Sequence, residues 1–202
     1  MTELTRQELW RSLRALTLLD MIVTPEGEEH LRMMDAYCKE GLNHFVLDNG
    51  GGDRLWVCLT DNAIVIKGFD HESSLNQFAA EQWDEGFFGR LFEGMPEELK
   101  ALFDEEQLDE TTFCMWQTEG VWHQNYMHED GGEAYLMSYI FSTAEKLRAW
   151  AEDYYGRKLD EQIIKKLFDK GMLTEDEMKV LAPECEPRRI MAEFFSRTVS
   201  GR

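Results

Sequence analysis

The stretch His44–Lys67, HFVLDNGGGDRLWVCLTDNAIVIK, decides the fold. Three strand-like runs, His44–Asp48, Arg54–Thr60 and Ala63–Lys67, are separated by Asp48-Asn49-Gly50-Gly51-Gly52-Asp53 and by Asp61-Asn62. Short Asn- and Gly-rich turns between such runs predict an antiparallel meander. The glycine run is not a phosphate loop. No Lys-Ser/Thr pair closes it and no helix signal follows.

Working outward toward the C-terminus, Ser74-Leu75-Asn76-Gln77 reads as a capping box for a short helix toward Glu81. Met95-Pro96-Glu97-Glu98 opens another helix, with Leu99, Leu102 and Phe103 as its apolar face. Thr111–Gln117 and Val121–Tyr126, joined by Thr118-Glu119-Gly120, form a second hairpin, and Ala134–Phe141 is expected as a final strand. Helices are then predicted up to Gly156, over Asp160–Lys170, after the capping box Thr174-Glu175-Asp176-Glu177, and over Pro187–Ser196. Toward the N-terminus, Thr5–Leu19 has the helical period. Thr24-Pro25-Glu26 looks like a second helix start, with Leu31, Met34 and Cys38 as its stripe and Gly41 as its stop. The predicted class is α+β: an antiparallel sheet of about five or six strands flanked by N-terminal helices and a C-terminal helical cap. We expect one domain over 1–202, with helices in 1–41, the sheet in 42–141 and the cap in 142–202.

The chain has 202 residues, 43% hydrophobic and 12% aromatic, enough for a substantial core. It carries 40 acidic against 21 basic side chains, a net charge of −19. That charge repels a phosphate backbone, so no nucleic-acid partner is expected. All of the excess lies in residues 1–142. Residues 81–110 alone hold 11 acids and two bases. Met1–Asp20 lacks the form of a signal peptide and no apolar run approaches about 20 residues, so no membrane partner and a cytoplasmic location are expected. Cys38, Cys58, Cys114 and Cys185 form no C-x-x-C pair and read as reduced thiols.

The densest polar cluster is Asp70-His71-Glu72-Ser73, directly after a strand, where a rigid sheet would position a loop. A turn and helix cap is the plainer reading of the same residues. His123 and His128-Glu129-Asp130 lie at the second hairpin and its exit. If both loops met at one end of the sheet, imidazoles and carboxylates would converge in a set that zinc accepts. Nothing in the spacing requires it, so no metal, cofactor or catalytic residue is assigned. Trp83 and Phe87, inside the acidic stretch, are candidates for an exposed aromatic anchor.

Leu47-Asp48-Asn49-Gly50-Gly51-Gly52-Asp53 followed by Ile66-Lys67-Gly68-Phe69-Asp70-His71-Glu72-Ser73 resembles a family of small bacterial cytoplasmic proteins with a DNG-GD turn and a GFDHES segment. The likeness continues through Trp83, Met95-Pro96-Glu97-Glu98, Thr111–Trp116 and Trp150–Tyr155, covering roughly residues 43–156. It implies a fold unit and no activity. At the level of class, the chain is similar to acidic immunity proteins of the SMI1/KNR4 type.

Two functional expectations follow. The first is a non-catalytic binding factor of immunity or regulatory type, a monomer or homodimer, that engages a basic protein partner. Its binding candidates are Asp70, His71, Glu72, Trp83, Phe87, His123 and His128. The second is a small metal-dependent or small-molecule enzyme centred on Asp70, His71 and Glu72 with His123 and His128.

Overall fold

The computed structural model describes residues 4–198. It is an α+β fold whose six-stranded antiparallel sheet runs in simple sequence order. The strands are β1 (Met34–Lys39), β2 (Leu42–Asp48), β3 (Arg54–Leu59), β4 (Ala63–Phe69), β5 (Phe113–Thr118) and β6 (Val121–Gln124). The chain divides into two compact units, one made of the stretches up to Cys38 and from Ile140 onward, the other of Lys39–Tyr139.

In the first unit, α1 (Arg6–Val23) starts at a capping box. The Thr5 hydroxyl accepts from the Glu8 N–H, and the Glu8 carboxylate accepts from the Thr5 N–H at 3.0 Å. Thr5→Ala is expected to cost about 1 kcal/mol, read as a lower denaturation midpoint at unchanged m-value. The apolar stripe of α1 packs against α7 (Glu161–Lys170), α8 (Glu175–Leu181) and α9 (Pro187–Thr198), and α7 also packs on α6 (Ala144–Tyr154). Short helices are marginal alone, and here each finds its apolar partner. Asp20 is buried inside α1. Burial raises its pKa, and its carboxylate accepts from the Met34 N–H at 2.9 Å and the Tyr155 hydroxyl at 2.8 Å.

The helix expected after Pro25 is absent. Thr24 is already extended, Gly27 is left-handed, only Glu29–Leu31 makes a 3-10 turn, and Met34–Lys39 is a strand. Met34 and Ala36 are buried while Asp35 between them is exposed, a period of two that overrides the helical reading of Leu31, Met34 and Cys38. Glu40 and Gly41, both with positive φ, reverse the chain into β2.

In the second unit, the two-residue turn at Asp61-Asn62 sets the β3–β4 register, pairing Arg54 with Phe69. Trp56, Cys58, Ala63, Val65, Cys114 and Trp116 share one sheet face with Lys67. Phe87, Leu91, Phe92, Met95, Leu99 and Phe103 complete this apolar cluster. The latter come from α2 (Phe87–Leu91), α3 (Glu97–Lys100) and the segments beside them, ahead of α4 (Glu105–Asp109). The helix expected from Ser74 shrinks to a 3-10 turn at Gln77–Ala79, because the Asn76 side chain caps Phe78 while Ser73 and Ser74 bond elsewhere. The strand expected over Ala134–Phe141 is instead α5 (Glu133–Leu136) followed by a 3-10 turn at Met137–Tyr139. Left-handed Gly132 turns the chain, and its carbonyl accepts the Leu136 N–H.

Candidate functional site

The meander brings the β2–β3 turn, the exits of β4 and β6 and the entry to β5 to one end of the second unit. These four segments are laced together by side chains. The Thr112 hydroxyl donates to the Gly131 carbonyl at 2.6 Å and accepts from the Asp70 N–H at 3.0 Å. The Ser73 hydroxyl donates to the Asp130 carbonyl at 2.7 Å, and the Ser74 hydroxyl meets the Glu129 carboxylate.

At the centre lies a pair that the sequence reading missed. His71 Nδ1 lies 2.7 Å from Asp53 Oδ1, and the same oxygen accepts the His71 N–H at 3.0 Å. The Asp53 side chain is only 7% exposed, whereas that of His71 is 44% exposed. Asn49 Nδ2 donates to Asp53 Oδ2 at 2.7 Å and lies 3.0 Å from the Tyr135 hydroxyl, which in turn lies 3.2 Å from that of Tyr139. Burial alone would lift the Asp53 carboxyl. The His71 ring, the His71 N–H and Asn49 outweigh it and hold Asp53 below the usual range. The hydrogen bond to Asp53 raises the His71 pKa. Two glycines shape the backbone around the pair. At Gly52 (φ 104°) a Cβ would lie 3.2 Å from the His71 ring, and at Gly132 (φ 82°) it would overlap the Asp70 carboxylate.

Among the described residues, Asp53, Asp70 and His71 each offer one donor atom within 4.8 Å of the others. Glu72 stands at the rim, its carboxylate 4.0 Å from His71 Nε2. The other two histidines do not join them. His123 lies on β6, stacked at 5.6 Å on Trp116, and His128 is exposed in the loop beyond. The two loops meet, as the sequence reading required, but through Ser73, Ser74, Glu129 and Asp130.

The aromatic candidates separate. Phe87 is 2% exposed and belongs to the apolar cluster, so it is no surface anchor. Trp83 is 41% exposed and continues a ladder of rings, Phe69–Phe78–Trp83–Phe88, at centroid spacings of 6.1, 5.7 and 5.6 Å. Phe78, which sequence reasoning did not single out, is 59% exposed. It sits two residues beyond Asn76, whose side chain accepts from its N–H, so misreading that segment as a helix toward Glu81 hid it.

No family model, curated protein or solved structure matches the chain. No helix among the described residues is long and apolar enough to cross a membrane.

Proposed function

We propose that the chain is a non-catalytic, cytoplasmic binding factor of regulatory or immunity type that engages a basic protein through the second unit. The observation that carries this reading is an exposed aromatic pair set in an acidic field. Lys39–Tyr139 holds 21 acidic and 5 basic side chains, a net −16. In the stretch 81–110, which holds Trp83, the side chains of Glu81, Glu85, Glu93, Glu98, Glu105 and Glu106 are exposed and have no ion-pair partner among the described residues. Asp84 and Glu97 are paired with Arg90 and Lys100. A desolvated aromatic anchor inside a charged rim is the usual anatomy of an interface hot spot. The field steers an oppositely charged partner and raises its on-rate.

Calorimetric titration against a panel of folded proteins of pI above about 9, with acidic proteins as controls, tests this. Binding is expected for basic members only, weakening between 50 and 200 mM salt as screening grows. Phe78→Ala with Trp83→Ala should reduce affinity at least about tenfold, the size of a hot-spot truncation above 1.4 kcal/mol, with the fold intact by circular dichroism. Full affinity in that double variant, or affinity indifferent to salt, would overturn the reading.

A further inference from the structure

The loop cluster at the sheet end adjoins the aromatic ladder, since Asn76 donates to the His71 carbonyl and accepts from the Phe78 N–H, but its donor set supports a separate inference. We propose that Asp53, Asp70 and His71 form a divalent-cation site of one imidazole and two carboxylates, suited to Zn²⁺ or Mn²⁺.

The argument rests on how each donor is held. Both carboxylates have one oxygen tied back by the protein: Asp53 Oδ2 accepts from Asn49 Nδ2 at 2.7 Å, and Asp70 Oδ1 accepts from the Glu72 N–H at 2.9 Å. Asp53 Oδ1 faces His71 Nδ1 at 2.7 Å while also accepting the His71 N–H at 3.0 Å, which leaves it a remaining lone pair, and Asp70 Oδ2 has no partner among the described residues. An outer shell that fixes the far oxygen of a ligating carboxylate is what orients ligands in built metal sites. In this case Tyr135 extends that shell behind Asn49.

The 2.7 Å between Asp53 Oδ1 and His71 Nδ1 is a hydrogen bond, and taking one ion between them needs the two atoms to part to about 3 Å, as ligands about 2.0–2.1 Å from a shared Zn²⁺ do. Coordination replaces the Nδ1–H with a metal bond, and the proton leaves to solvent. Asp70 Oδ2 supplies the third position after a small side-chain rotation. Water completes the shell, because the His71 edge of the site is open. Gly52 and Gly132 keep side chains out of the centre, since a Cβ at either would press on a ligand.

The donor set narrows the ion. An imidazole nitrogen favours first-row metals over Mg²⁺ and Ca²⁺, which prefer oxygen alone. With no thiolate present, nothing selects a soft ion such as Cu(I).

Titration of the full chain with ZnCl₂, MnCl₂ and MgCl₂ by calorimetry tests the site directly. One equivalent of Zn²⁺ or Mn²⁺ should bind in the micromolar range or tighter, with Mg²⁺ at least tenfold weaker. His71→Ala and Asp70→Asn should each lower affinity at least about 30-fold. Asn49→Ala should lower it about tenfold, the usual effect of an outer-shell change. Circular dichroism on each variant establishes that the fold is retained. Absence of binding at 1 mM metal, or equal affinity in wild type, His71→Ala and Asp70→Asn, would overturn the assignment. Because Phe78 and Trp83 contribute no ligand, metal affinity should survive their replacement, which keeps this test independent of the docking surface.

Discussion

Lys67→Met is expected to remove a rise in stability of about 2 kcal/mol that the wild-type chain gains between about pH 6 and pH 8.5. Lys67 is fully buried on β4. Its ammonium lies 3.3 Å from the centroid of the Trp56 ring and 5.5 Å from that of Phe103. It donates to the Glu110 carbonyl at 2.8 Å and to the Gln107 carbonyl, closing the C-terminal end of α4. Burial pushes its pKa down to about 7, against the smaller opposing pull of Cys114, Glu110 and Asp104. The unfolded chain holds that proton up to about pH 10.4. Between the two values the unfolded state binds more protons, so stability rises with pH through this window and is flat below it.

Other groups limit the window without confusing the comparison. Cys58 and Cys114 are pushed up to about 12 by burial, so above the unfolded thiol value of about 8.5 they pull stability the other way. The depressed pKa of His44 and the raised pKa of His71 are shared by wild type and variant, so their contributions cancel. Near pH 6, losing a costly buried charge offsets losing two hydrogen bonds, and the two proteins should be about equally stable. Urea denaturation of both at pH 6 and 8.5 measures the difference. Parallel pH curves would show that Lys67 does not titrate in the fold.

Gly68→Ala should destabilise by about 3 kcal/mol, lowering Tm by roughly 10 °C. Gly68 needs no unusual backbone angle. Its constraint is contact, because Phe113, its partner on β5, lays its ring where a Cβ would stand. The added methyl would lie 2.5 Å from Phe113 Cζ and 2.9 Å from Leu136 Cδ1. Both side chains are buried, so neither can swing into solvent. Gly89, with nothing within 4 Å of its would-be Cβ, is the matched control inside α2. Gly89→Ala should be neutral or stabilise by up to about 1 kcal/mol. A Gly68→Ala melt superimposable on the Gly89→Ala melt would refute the packing argument.

The meander was legible because its turns are local. Asp61-Asn62 and the Asp48–Asp53 turn announce reversals without help from distant residues. The segments misread are those where a neighbour decided the outcome. Met34 and Ala36 belong to a strand, yet Thr24-Pro25-Glu26 supplies every local mark of a helix start. Tyr135 and Leu136 are apolar and β-compatible, but Gly132 sends them into a helical turn. Asp53 was within reach of the sequence. A two-residue turn at 61–62 that pairs Arg54 with Phe69 also sets Asp53 beside Asp70. Lys67 was not, because a lysine ending an apolar strand reads as a solvent-facing terminus until α4 is known to lie over it.

The first unit is discontinuous, and that has a consequence on the ribosome. Helix α1 emerges ahead of the other described elements, carrying Leu9, Leu13, Leu16, Leu19 and Ile22, all of them buried in the finished fold. Its partners α7, α8 and α9 lie beyond the intervening stretch Lys39–Tyr139. At about 5–20 residues per second, synthesis of that stretch takes roughly 5–20 s. Throughout that interval the apolar stripe of α1 has no α7 or α9 to cover it, whereas strands β2 to β6 have one another by its end. Translation therefore lets the inner unit close before α1 meets its partners, and until then the apolar stripe of α1 is a surface for a chaperone to hold.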